Sequence, residues 1–213
     1  MRKLSYLLFI LSKSLFAQNN GFVFPLQEPI SLVGNYGELR PNHFHAGLDF
    51  STQGRTGLPV MAAASGYVSR IKVSAVGYGK AVYITHPNGK VTVYGHLTSY
   101  IPEIAIIVKS AQYKNESFEV ELLPGKDEIK IKAGQIIGYS GNTGNSTGPH
   151  LHFEIRDEIT ETPINPLLYY KVPDTYKPTI THLGLYNMED TTSPKFIKSL
   201  PINPKTGKLK KDS

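Results

Sequence analysis

Gly148-Pro149-His150-Leu151-His152-Phe153-Glu154 is the stretch on which the reading of this chain turns. Two histidines lie two residues apart in a run of apolar and β-prone residues. In a strand, side chains alternate between the two faces, so His150 and His152 point the same way. Two imidazoles side by side suit one metal contact and one proton transfer. A second cluster, His45-Ala46-Gly47-Leu48-Asp49, supplies partners for such a pair.

The surroundings of this stretch read as β structure. A Gly-rich loop, residues 140–148, delivers the chain into the His-Leu-His strand, which is expected to end near Arg156. Upstream, residues 57–62 form a short apolar run, and residues 66–73 alternate from Tyr67 onward as in a half-buried strand. Residues 81–86 and 91–94 flank Pro87-Asn88-Gly89-Lys90, a hairpin signal because Asn and Gly accept positive φ. Residues 117–123 alternate, and residues 129–132 lead through Ala133-Gly134 to residues 135–139. The one helical signal is in residues 101–116, where Ile101, Ile104, Ile107 and Val108 recur at helical spacing.

The 213 residues fit one domain with a sizeable core, or one domain plus an appendage. There is no cysteine, so disulfides and thiolate metal sites are excluded and any metal must rest on His, Asp and Glu. The net charge of +6 misleads. Nine of the 23 basic residues lie in residues 1–17 or in the last nineteen. Residues 18–194 carry 14 Lys and Arg against 16 Asp and Glu, a net of −2. A nucleic-acid face would need clustered positive charge on the folded domain, and none is expected.

Residues 1–17, MRKLSYLLFILSKSLFA, read as a secretory signal peptide: Arg2 and Lys3 first, then an apolar core, then Ala17. The apolar run is too short to span a bilayer, so no transmembrane segment remains once the leader is removed. Residues 18–33 form a lead-in and residues 34–170 the main domain. Residues 171–213 are Pro-rich and end in lysines, and form an extension, either a truncated β domain or a disordered tail. Within it residues 179–185 suit a strand with no evident partner.

Of seven histidines, four lie in two tight groups, His43 with His45 and His150 with His152, and His96 follows Tyr94-Gly95 at a strand end. Catalytic zinc commonly takes three protein ligands and keeps one position for water, whose pKa it lowers to about 7. His45, Asp49 and His152 fit that count, with Gly47 removing a side chain between the first two. Neutral imidazole favours zinc over magnesium or calcium. His96 and His150 then remain to collect the proton and steady the oxyanion. His43 shares a face with His45 in an extended segment. His86, ahead of its turn, is expected in solvent, and His182 lies outside the clusters.

At these residues the chain resembles the lysostaphin- or LytM-type zinc metallopeptidases that cut cell-wall peptidoglycan, in the version found in larger exported bacterial proteins. The resemblance covers about residues 34–166. It rests on His45-x-Gly47-x-Asp49, Pro59-Val60-x-Ala62-x-x-x-Gly66, Gly79 with residues 82–86, and Tyr94-x-His96-Leu97. Gly134-x-x-Ile137-Gly138, Gly141-x-Thr143-Gly144 and His150-Leu151-His152-Phe153-Glu154 complete it. It implies zinc ligands His45, Asp49 and His152, and catalytic histidines His96 and His150. It also implies a mainly β fold of antiparallel sheets with the site in a groove. One zinc per chain, peptidoglycan stem peptides as substrate, and a periplasmic or cell-envelope location follow as expectations, with a monomer as the expected state. Degenerate members regulate amidases after losing metal ligands, and a zinc peptidase of ordinary proteins is a further alternative. Family members join the Tyr-x-His-Leu and Gly-x-x-Ile-Gly blocks more directly than this chain does, so residues 103–128 read as an insertion, flanking the groove or decorating the surface. Arg40, Asn42 and His43 are candidate substrate contacts, because stem peptides carry carboxylates that Arg binds bidentately.

Overall fold

A computed structural model describes residues 21–41, 43–173, 179–187, 195–203 and 205–209. Its first strands are β1 (Leu32–Gly34), β2 (Leu48–Ser51), β3 (Pro59–Met61), β4 (Gly66–Val73), β5 (Lys80–Thr85), β6 (Lys90–Gly95) and β7 (Ser99–Tyr100). Helix α1 (Pro102–Lys114) follows, then β8 (Val120–Leu122), β9 (Lys130–Ile131), β10 (Ile136–Tyr139), β11 (His150–Asp157) and β12 (Pro163–Ile164). The last two strands are β13 (His182–Asn187) and β14 (Lys195–Pro201). All pairings are antiparallel. The mainly β fold with one short helix is the one expected from the sequence.

The large sheet runs β1-β2-β11-β6-β5-β4-β8, with β12 on β11 and β9 on β4, and a small sheet runs β3-β10-β7. One apolar cluster joins them: Val60 and Ile137 from the small sheet meet Phe50, Ile84, Tyr94 and Phe153 from the large one. In β11 the alternation is strict. Leu151, Phe153 and Ile155 are wholly buried on the core face, each contributing about 1.5–3 kcal/mol of apolar burial. That commitment turns His150, His152 and Glu154 together onto the other face. Contacts divide the described residues into two compact units that part after Pro173.

Several expectations are corrected. In β4 a bulge between Val68 and Arg70 breaks the alternation, so Val68, Ile71 and Val73 face the core. At the Asn-Gly hairpin only Gly89 has positive φ. Pro87 sets the φ of a type I turn, and Gly89 closes it by donating to the His86 carbonyl. Helix α1 buries Ile104 and Val108, whereas Ile107 is exposed. Residues 179–185 do have a strand partner: β13 pairs β14, with Leu183 opposite Leu200 and Tyr186 opposite Phe196.

His86 is buried, not solvated. Its Nδ1–H donates to the Ser65 carbonyl at 3.0 Å, which leaves Nε2 to accept from Thr92 Oγ1 at 2.8 Å. Thr92 in turn meets the Tyr94 hydroxyl at 2.9 Å. Burial lowers its pKa from 6.5, against the bond to Ser65, which raises it. The unfolded chain therefore takes up this proton first as pH falls. His86 costs nothing above pH 6.5 and removes up to about 1.4 kcal/mol per pH unit below it. Melting of wild type and His86→Gln at pH 7.5 and 5.5 should show the larger acid loss in wild type. Equal losses would show that the chain does not sense the protonation of His86.

Candidate metal centre

Three neighbouring strands assemble the site. In the register, His152 of β11 faces Asp49 of β2 on one side and Gly95 of β6 on the other. His96 is the residue after β6, and His45 lies three residues before β2. Gly47 explains how the chain between His45 and Asp49 passes so close to β11. A Cβ there would strike the Phe153 carbonyl oxygen.

Three atoms converge: His45 Nε2, Asp49 Oδ1 and His152 Nδ1, at 3.0, 3.0 and 2.9 Å from one another. All three residues are buried. The far nitrogen of each ring is already committed. His45 Nδ1 donates to the Asn35 carbonyl at 2.7 Å, and His152 Nε2 donates to Glu154 Oε1 at 2.7 Å. Both acceptors can only accept, so the nitrogens that face Asp49 carry lone pairs when the rings are neutral. Lone pairs from three sides with no proton between them suit a cation. Four-coordinate zinc with ligands at about 2.0–2.1 Å separates them by about 3.4 Å, a few tenths more than here. The donor set, two imidazoles and a carboxylate without thiolate, fits zinc.

The electrostatics agree. Burial raises the Asp49 carboxyl, but bonds from His150, His152 and His45 overcome this and hold it far below the usual carboxylate range. Burial lowers the His152 imidazole, yet Asp49 and Glu154 hold it up to about 9, so without a cation a proton occupies the cluster. A metal ion would take that proton's place. The second oxygen of Asp49 accepts from Arg40 Nη2 at 3.1 Å, which leaves Oδ1 for the centre.

His96 and His150 flank this cluster, their rings 4.6 Å apart. Each also gives Nδ1–H to a backbone carbonyl, His96 to Thr143 at 2.7 Å and His150 to Gly148 at 2.8 Å. Nε2 is left as the working atom of both. His150 Nε2 lies 3.4 Å from Asp49 Oδ1, beyond the three converging atoms. Burial lowers the His96 pKa to about 4 against the bond to Thr143, so its Nε2 is unprotonated at neutral pH. His96 holds φ at 59°, a left-handed conformation that persists because its surroundings over-determine it. Its N–H donates to the Tyr78 carbonyl at 2.8 Å.

A groove of about 610 Å³ runs over these residues, walled by Arg40, Pro41, His43, Tyr78, Asn145 and Ser146. Arg40 also meets Glu38 at 2.8 Å, and His43 is exposed. Asn42 lies outside the described residues. Residues 103–128 do not line this groove. Helix α1 instead walls a second groove of about 640 Å³ with Val73, Tyr100 and Phe118. The insertion reaches the site indirectly, through Glu119, which accepts from Ser74 Oγ and Ala75 N–H at 2.8 Å each.

The family model described as Peptidase family M23 matches residues 43–166, more than half of the 213 residues. This chain belongs to peptidase family M23. The matched M23 region holds all four site histidines and Asp49. The M23 relatives include the DD-carboxypeptidase/endopeptidase Mpg of Neisseria meningitidis, 35% identical over 123 residues, which are 58% of this chain and 22% of that protein. The peptidoglycan DD-endopeptidase ShyA of Vibrio cholerae is 35% identical over 111 residues, 52% of this chain and 20% of that protein. A zinc-containing peptidase structure from Vibrio cholerae shares the fold at 23% identity and TM-score 0.52, over 73% of this chain and 41% of the other. The chain thus spans about a fifth of the length of these two curated relatives.

Sequence reasoning gave no role to Glu154 or Tyr78. Glu154 is wholly buried and accepts from His152, from Arg156 Nε at 2.5 Å and from the Tyr78 hydroxyl. Extending the period of two from His150 and His152 by one step would have placed it on their face. Tyr78 comes from the β4–β5 loop, and no sequence spacing links it to the histidines.

Proposed function

We propose that this chain is the catalytic part of an exported zinc endopeptidase that hydrolyses peptide cross-links of bacterial cell-wall peptidoglycan. The observation that carries this reading is the convergence of three buried lone-pair atoms in a groove, with two further imidazoles beside them. The names of the M23 relatives, which include peptidoglycan DD-endopeptidases, support the substrate class.

In this reading His45, Asp49 and His152 hold the zinc. Bound there, zinc supplies a Lewis acid and a water acidified to about pKa 7. His96 and His150, each with Nδ1 tied to a carbonyl, present Nε2 to the groove. They take a proton from the attacking water, return it to the leaving amine and donate to the developing oxyanion. Arg40 and His43 contact substrate carboxylates from the groove wall, and Asn42, outside the described residues, is a further substrate contact in this reading. Asn35 and Glu154 set the tautomers that leave lone pairs toward the metal. Residues 1–17, outside the described residues, serve as a leader to the periplasm or cell envelope. Among the described residues no helix is long and apolar enough to cross a membrane. The acting species is a monomer.

Digestion of purified peptidoglycan, with mass analysis of the fragments, tests this. Cross-linked fragments should disappear with zinc present, persist after chelation, and disappear again when zinc is restored. Unchanged cross-links alongside cleavage of an ordinary protein would overturn the substrate.

A further inference from the structure

The metal-site reading leaves Tyr78 without a role, yet it touches His152, His96 and Glu154 together. Its ring lies on the His152 imidazole, with centroids 4.6 Å apart and planes 21° from parallel. It also meets the His96 ring edge-on at 6.4 Å. Its hydroxyl donates to Glu154 Oε1, the oxygen that accepts the His152 Nε2 proton. Its backbone carbonyl accepts the His96 N–H.

The loop that carries Tyr78 is fixed from both sides. Glu119 of the insertion accepts from Ser74 and Ala75. From the other side, Asn145 of the Gly-rich loop donates to the Gly77 carbonyl at 2.8 Å. A Cβ on Gly79 or Gly144 would drive these two loops apart.

An imidazole held by one coordinate bond can still turn, because the torsion at its ring is broad. The bond to Glu154 fixes one atom of His152. A ring packed on its face fixes the plane.

We infer that Tyr78 is a positioning residue that registers the metal-binding imidazole with the proton-transferring one. Its ring and hydroxyl set the plane of His152, and its backbone carbonyl sets the turn of His96. The inference rests on the zinc reading of the site. It also gives residues 103–128 a task, which is to hold the Tyr78 loop from behind.

The test uses the full chain as wild type, Tyr78→Phe and Tyr78→Leu. Three quantities are measured: zinc affinity by chelator competition, the visible absorption bands of Co(II) bound in place of zinc, and melting of the metal-free protein. Tyr78→Phe removes only the hydroxyl and should weaken zinc binding about tenfold and shift the Co(II) bands, whereas Tyr78→Leu should approach a hundredfold. A purely structural Tyr78 would lower the metal-free melting temperature and leave affinity and bands unchanged. Wild-type affinity and bands in Tyr78→Phe would overturn the inference, and Tyr78→Leu no worse than Tyr78→Phe would overturn its stacking half. Wild type that binds neither metal overturns the zinc reading instead, a separate result.

Discussion

His152→Ala should leave a folded chain that holds no zinc after dialysis and cleaves nothing. His152 is where the constraints meet. Its Nδ1 completes the triangle with His45 and Asp49, and its Nε2 is held by Glu154. Removing it leaves two protein ligands, so the affinity loss should exceed the 10–100-fold typical of residues that only orient a ligand. Glu154 loses a charge-assisted donor while staying buried, which costs about 1–3 kcal/mol. Arg156 still meets it, so the fold should survive. Leu151 and Phe153 on the opposite face of β11 are untouched. Metal analysis against wild type, which should carry about one zinc per chain, decides. A variant that retains its zinc would remove His152 from the ligand set.

The same strand shows how far the sequence could be read. Alternation in β11 put His150 and His152 on one face, and burial of Leu151, Phe153 and Ile155 is the physical reason it held. The pairing of the His-x-x-x-Asp cluster with β11 is a long-range choice of register, and nothing local encodes it. It was legible only through the zinc ligand count and the family resemblance, not through the strand pattern. His86 shows the opposite failure. A histidine before a turn reads as solvated, but Thr92 and the Ser65 carbonyl satisfy both ring nitrogens, so burial costs little. The bulge in β4 was hidden for a similar reason. One extra residue changes which side chains face inward without changing the composition of the strand. Tyr78 and Thr143 reach His96 from loops distant in sequence. Their parts depend on how two glycine-rich turns interlock, which spacing alone does not report.

His150→Ala and His96→Ala should each keep zinc and lose turnover, and His150→Ala set against His152→Ala separates proton carrier from ligand within one strand. The distances set the expectation. His150 Nε2 stands 3.4 Å from Asp49 Oδ1, against 3.0 Å for His45 and 2.9 Å for His152, and its Nδ1 is spent on the Gly148 carbonyl. Removing either imidazole deletes a group that moves a proton or steadies the oxyanion, worth about 10²–10⁴ in rate. The left-handed turn at φ 59° strains histidine and alanine alike, but His96 is more buried than His150, and its removal leaves the Thr143 carbonyl without its donor, about 1–3 kcal/mol. The melting temperature of His96→Ala should therefore fall more than that of His150→Ala. The double variant is the sharper measurement. If the two imidazoles serve one proton path, removing both should cost little more than removing the worse one, since residues that act as a unit are not additive. Fully multiplicative losses would mean that they act in independent steps. Loss of zinc from His150→Ala as complete as from His152→Ala would mean that both histidines of His-Leu-His bind the metal.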